Sequence, residues 1–127
     1  MTATILFVDD EADLEALILQ KFRRQIRDGA VKVMFAHDGL EALQTLEQNP
    51  HVDMVVSDIN MPGMDGLSLL REIKTRRPNL PVMMVTAYGD DERRRQAEEA
   101  GALQFLSKPV DFDLLKEELR RLPGASL

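Results

Sequence analysis

Short apolar runs alternate along this chain with stretches of helical period, each pair taking about 25 residues, the spacing of repeated βα units. The runs cover residues 4–8, 31–36, 53–57, 81–86 and 103–106, which predicts five strands in a parallel sheet. Between the first two, Leu14, Leu17, Ile18, Phe22 and Ile26 recur at spacings of three and four, one buried face of a single helix. Asp38 can cap a second helix, with Glu41 three residues on completing a capping box and Leu40, Leu43 and Leu46 following. A third spans about 67–76 with Leu70 and Ile73 inward and Pro78 as its stop. The fourth, about 90–100, is dense in charge and offers only Ala97 and Ala100 to a core, so it is expected to be the least firmly held. The fifth starts near Asp111, buries Leu115, Leu119 and Leu122, and ends before Pro123-Gly124.

Central parallel strands are covered on both faces, whereas edge strands tolerate polar residues. Lys32 and Gln104 interrupt the second and fifth runs, so those two are assigned to the edges. With right-handed crossovers the order becomes 2-1-3-4-5, an α/β flavodoxin-like doubly wound sheet of five strands and five helices. In such sheets ligands sit beyond the carboxyl ends of the strands. Here the first strand runs into Asp9-Asp10, the third into Asp58, the fourth ends at Thr86 and the fifth runs into Lys108-Pro109.

Composition narrows the chemistry that rim can perform. The 127 residues are the length of one domain, with a core over about 4–122 and a short tail at 123–127. Hydrophobic residues at 44% and charged residues at 30% exclude intrinsic disorder and give no membrane span. Sixteen lysines and arginines against 22 acids give a formal charge of −6, which argues against direct nucleic-acid binding. The absence of cysteine removes thiol catalysis and thiolate metal sites, and two isolated histidines cannot build a zinc site. No basic stretch leads into an apolar run and cleavage site at the start, so a cytoplasmic location is expected.

Three carboxylates converging on one rim repel one another unless a cation shares the site, which predicts a hard divalent ion held by oxygen, Mg2+ being the natural candidate. Lys108 would face an incoming phosphoryl group, and the Thr86 hydroxyl would donate to it. Taken singly, each residue has an ordinary structural explanation: a helix cap, a turn residue, a β-branched strand end, a solvated lysine. Their convergence at one switch point favours a phosphoryl site.

Val8-Asp9-Asp10-Glu11, the nine residues Asp58-Ile59-Asn60-Met61-Pro62-Gly63-Met64-Asp65-Gly66, Thr86-Ala87 and Ser107-Lys108-Pro109 resemble the receiver domain of two-component response regulators. The resemblance runs from Thr4 to about Leu122. It implies that Asp58 accepts a phosphoryl group from a sensor histidine kinase or a histidine phosphotransfer protein. Asp9, Asp10 and Asp58, with the backbone carbonyl of Asn60, would bind Mg2+, and Thr86 and Lys108 would contact the phosphoryl oxygens. It further implies a cis peptide at Lys108-Pro109, a small Ala87 that leaves the phosphoryl accessible, and tuning of its lifetime by Asn60 and Tyr88. Met61, Pro62 and Gly66 would shape the loop.

Phe105 stands where the family has an aromatic switch residue, often tyrosine, that fills the space vacated when the threonine moves inward; a half-buried edge-strand aromatic is the plainer reading. Such a domain is no enzyme beyond self-catalysed phosphotransfer and autodephosphorylation. Its partners would be the kinase, a downstream protein or output domain, and in a phosphorylation-dependent dimer a second copy. No output domain is expected within these residues, whether the receiver stands alone or is part of a longer regulator.

Three rivals use the same fold class. A haloacid-dehalogenase-type phosphatase needs an acid two residues after its nucleophile, where Asn60 stands. A flavodoxin relative would have Asp9-Asp10-Glu11 repelling its phosphate. A phosphorylation-independent interaction module would not need the full acidic, threonine and lysine set. His37, His51 and the arginines 93–95 read as solvated or locally paired, and Met34, Met54, Met83 and Met84 as core packing.

Overall fold

A computed structural model describes residues 2–61, 63–86 and 91–122. Five strands among them, β1 (Ala3–Val8), β2 (Val31–Ala36), β3 (Met54–Asp58), β4 (Val82–Thr86) and β5 (Gln104–Ser107), form one parallel sheet in the order β2-β1-β3-β4-β5. The edge positions of β2 and β5 follow from Lys32, which is exposed, and Gln104, which is half-buried; β3 and β4 are buried along their whole length. Strand residues alternate between the two faces, so one sheet feeds two cores. Leu6, Val8, Val55, Val82 and Met84 pack with Leu43, Leu46, Leu69, Leu70, Ile73 and Ala97 on one side. On the other, Ile5, Phe7, Met54, Val56, Met83, Val85 and Leu106 meet Ile18, Phe22, Leu115 and Leu119.

The described residues form six helices rather than the five expected: α1 (Ala12–Lys21), α2 (Arg23–Arg27), α3 (Gly39–Gln48), α4 (Gly66–Arg76), α5 (Asp91–Glu99) and α6 (Phe112–Arg120). The difference lies at Phe22, where φ −103° and ψ 10° interrupt the predicted first helix. Its N–H still donates to the Ile18 carbonyl at 2.9 Å, but its ring is fully buried, 6.2 Å from the rings of Phe7 and Phe112. Aromatic packing sets the local backbone, which helical period alone does not encode. Strands β3 and β5 each end one residue later than expected, so Asp58 is the last residue of its strand. Ala87 and Tyr88, with Pro62, Asp90 and the 123–127 tail, lie outside the described residues.

Asp38 caps α3 by accepting the Glu41 N–H at 2.8 Å, while the Glu41 carboxylate returns to the N–H of His37 at 3.1 Å, one residue earlier than a capping box requires. The His37 ring is exposed yet held by two acids, Nε2 to Glu15 at 2.5 Å and Nδ1 to Glu41 at 3.2 Å, which ties α1 to α3. These hydrogen bonds, to Glu15 first and Glu41 second, raise the imidazole pKa above its ordinary value. A raised folded-state pKa means that the stabilisation is full below the unfolded value of about 6.5 and is lost as pH rises through the folded value. Because the ring is half in solvent, only a few tenths of a kcal/mol are expected. Urea midpoints measured across neutral pH should fall with rising pH in the wild type and flatten in His37→Gln; equal slopes would contradict the pairing.

Candidate functional site

The sheet delivers its carboxyl ends to one rim, and backbone hydrogen bonds carry the ladder slightly past the strands. The Asp9 N–H donates to the Ala36 carbonyl at 3.1 Å, Ile59 to Val85 at 3.0 Å, and Lys108 to Thr86 at 3.0 Å. Two carboxylates then turn the chain in the same way. Asp9 Oδ1 accepts the Glu11 N–H at 2.8 Å, and Asp58 Oδ1 accepts the Asn60 N–H at 3.0 Å. Each is a short polar side chain capping its own backbone two residues on.

Gly66, the first residue of α4, lies directly behind Asp58. A Cβ there would stand 2.1 Å from the Asp58 carbonyl oxygen and 2.6 Å from the Ile59 Cα, and the Gly66 N–H donates to the Ile59 carbonyl at 3.0 Å. The loop-shaping role expected of Gly66 therefore has a steric cause. Met61 is buried in the core on the α3 and α4 side.

Asp9 and Asp58 are buried and Asp10 is exposed, and one carboxylate oxygen from each lies within 4.8 Å of the others. Against them stands Lys108, whose Nζ donates to Asp58 Oδ2 at 2.7 Å and lies 3.8 Å from Glu11. The Lys108-Pro109 peptide is cis. Burial pushes the Asp9 carboxyl up, helped by the charges of Asp58 and Glu11, while the Glu11 N–H and Lys108 act in the opposite sense. Burial works against the charge on Lys108, but its hydrogen bond to Asp58 and the fields of Asp58, Asp9 and Glu11 outweigh it and hold its pKa up. Three carboxylates facing one ammonium leave an excess of negative charge that suits a cation.

Asp9, Asp10, Asp58 and Lys108 thus come together as expected. Thr86 is buried at the end of β4, one position beyond Val85, the register partner of Asp58. Phe105 is half-buried on β5, with the Arg94 guanidinium 4.9 Å from the centre of its ring. Sequence reasoning missed Arg93. Its place in a run of arginines among acids predicts a solvent face with local pairs, but it donates to the Asp65 carboxylate at 3.0 Å and to the Asn60 side-chain oxygen. Its partners lie about thirty positions away, and no helical spacing signals them; Arg95 alone of the three behaves as a local pair, with Glu92 and Glu99.

The family model for the response regulator receiver domain matches residues 5–120. The chain belongs to this family. The receiver is 40% identical over 112 residues to the transcriptional regulatory protein ZraR of Klebsiella oxytoca, covering 88% of this chain and 24% of that protein, so it spans about a quarter of the length of that relative. It is 31% identical over 121 residues to sporulation initiation phosphotransferase F of Bacillus subtilis strain 168, covering 95% of this chain and 94% of that one. The crystal structure of a response regulator receiver protein from Pseudomonas putida superposes with a TM-score of 0.83 at 30% identity, covering 94% of this chain and 97% of that one. Membership sets aside the phosphatase and flavodoxin readings and puts this receiver in two-component phosphorelay signalling. No helix among the described residues is long and apolar enough to cross a membrane.

Proposed function

We propose that this receiver is a phosphoacceptor in the cytoplasm. In this reading Asp58 takes a phosphoryl group from the phosphohistidine of a sensor kinase or histidine phosphotransfer protein. The observation that carries it is the Lys108 ammonium seated 2.7 Å from Oδ2 of the buried Asp58 carboxylate at the end of a central strand. An oxygen of Asp58 attacks phosphorus, the P–N bond breaks with its electron pair going to the imidazole, and an acyl phosphate forms.

Lys108 offsets the carboxylate charge in the resting site and moves to the phosphoryl oxygens as they arrive, while the Thr86 hydroxyl donates a second bond. The backbone of Asn60, fixed on Asp58 Oδ1, holds the loop against the reacting carboxylate. The crowded oxygens of Asp9, Asp10 and Asp58 fit a hard, oxygen-bound divalent ion. They and the Asn60 carbonyl would hold Mg2+. When bound, Mg2+ supplies positive charge opposite the transferred group.

The chain works on itself, and its acyl phosphate later yields to water; Asn60 and, by the family resemblance, Tyr88 tune that step. Modification adds negative charge and acceptor oxygens, draws Thr86 inward and lets the Phe105 ring follow, which changes the surface read by a downstream protein, an output domain or a second copy of the receiver. Phosphorylation shifts this equilibrium only by its differential stabilisation of the two states.

Intact-mass measurement with acetyl phosphate tests the reading. One phosphoryl group is expected on Asp58 when Mg2+ is present, formed as acetate departs with the electron pair of the broken P–O bond. An unchanged mass with donor and Mg2+ would overturn it. With Mg2+ present, Lys108→Ala should keep its unfolding free energy within about 1 kcal/mol, because the side chain is one-third exposed, and should lose the response to modification. A large loss of stability would show that Lys108 serves the fold instead.

A further inference from the structure

Helix α5 carries three successive arginines with three different attachments. Arg95 is closed within the helix by Glu92 at 2.6 Å and Glu99 at 2.8 Å. Arg94 lies over the Phe105 ring. Arg93 leaves the helix altogether, and its two amino groups engage residues from the segment that follows β3. One donates to the side-chain oxygen of Asn60, the other to Asp65 Oδ2 at 3.0 Å.

Both acceptors are themselves tied down. Asn60 donates its backbone N–H to Asp58 Oδ1 at 3.0 Å, and Asp65 caps α4 by accepting the Ser68 N–H on Oδ1 at 2.8 Å. The Asp65 carboxyl is held below its usual range, by the Ser68 N–H first and with a contribution from the Arg93 charge, as expected of a carboxylate serving both partners. A continuous chain of polar contacts therefore runs from the Asp58 carboxylate through Asn60 and Arg93 to α5. The apolar hold on that helix is slight: Ala97 is its fully buried residue among those described.

We propose that Arg93 is a positioning residue that ties α5 to the Asp58 loop and stabilises the unmodified conformation, so that its contacts break when Asp58 is phosphorylated. The inference rests on the phosphoacceptor reading above. A guanidinium fork reaches two acceptors at once only in one relative placement of helix and loop. Any displacement of α5 against the segment 60–65 breaks at least one of the two bonds. The contact then belongs to one state alone, and a contact made in one state biases the equilibrium toward it. Arg93 and Asp65 are each about one-third exposed, so the bias is that of a partly solvated ion pair, about two- to five-fold in population.

The test compares the rate at which acetyl phosphate with Mg2+ modifies the wild type, Arg93→Ala, Arg93→Lys and Asp65→Asn, read by intact mass. Asparagine retains the helix cap and removes the charge; lysine retains the charge and loses the fork. Arg93→Ala should be modified about two- to five-fold faster than wild type, with Arg93→Lys and Asp65→Asn also faster. The double variant Arg93→Ala/Asp65→Asn should be no faster than Arg93→Ala, since both remove one interaction. In the unmodified Arg93→Ala protein, amide exchange should rise together in 59–66 and in 91–99.

Faster exchange in 91–99 alone, with Asp58 reactivity unchanged, would make Arg93 a local helix contact and overturn the inference. Slower modification of Arg93→Ala would overturn it as well. A wild type that never gains the group overturns the phosphoacceptor reading and this inference with it; a wild type modified at the same rate as Arg93→Ala overturns this inference alone.

Discussion

Asp58→Asn is expected to abolish phosphoryl uptake completely and, in metal-free solution, to leave the protein more stable than the wild type by about 1 kcal/mol. The two effects have one origin. Asp58 is 3% exposed, and its carboxylate shares a space less than 4.8 Å across with those of Asp9 and Asp10. Replacing it with a neutral isostere relieves repulsion that water cannot screen at such burial. One acceptor of the two that serve Asn60 and Lys108 is lost, but Lys108 is one-third exposed and has Glu11 at 3.8 Å as an alternative partner. Added Mg2+ should stabilise the wild type and have less effect on the variant, because an ion that binds only the folded state adds to stability by an amount that grows with the logarithm of its affinity. Urea unfolding with chelator and with Mg2+ gives both numbers. A variant clearly less stable than wild type without metal would show that the carboxylate contributes more through its hydrogen bonds than it costs through crowding.

Gly66→Ala should cost about 3 kcal/mol and impair the site at the same time. The added methyl would sit 2.1 Å from the carbonyl oxygen of Asp58 and 2.6 Å from the Cα of Ile59. Neither atom can give way, since both belong to backbone at the end of a fully buried central strand whose ladder continues through the Ile59 N–H to Val85. The helix start must move instead, which strains the bond from the Gly66 N–H to the Ile59 carbonyl and shifts the Asp58 side chain away from Lys108. Alanine's better helix propensity returns at most about 1 kcal/mol. Gly39→Ala is a milder case: its methyl would meet the Met64 side chain, 2.8 Å from the sulfur and 2.9 Å from Cβ and Cγ, so the thioether rotates aside while the loop that carries Met64 shifts slightly, with no central-strand backbone in the way. Chemical denaturation of both variants checks the difference. Equal small losses would mean that the loop after β3 is softer than its contacts imply.

The strand order was legible because two polar residues, Lys32 and Gln104, fall within otherwise apolar runs, and burial on both faces leaves no room for them in the middle of a parallel sheet. The convergence of Asp9, Asp10, Asp58 and Lys108 followed from topology, since strand ends meet at the switch point wherever they lie in sequence. The break at Phe22 was not legible. Its cause is a ring wedged between Phe7 and Phe112, contacts made across the fold while the local spacing reads as uninterrupted helix. Arg93 was hidden for the same reason, because a run of arginines among acids looks like a self-paired surface and only Arg95 is one. The one-residue shifts at the ends of β3 and β5 reflect ladders set by neighbouring strands and not by the apolar run itself.

Lys32, the second residue of β2, stands exposed on a strand whose outer side pairs with no other strand of the sheet. A charged side chain at that place discourages another polypeptide from aligning there and lengthening the sheet. Assembly by strand addition is thereby disfavoured on the β2 flank, which leaves the strand-end rim and the rest of the surface open to recognition.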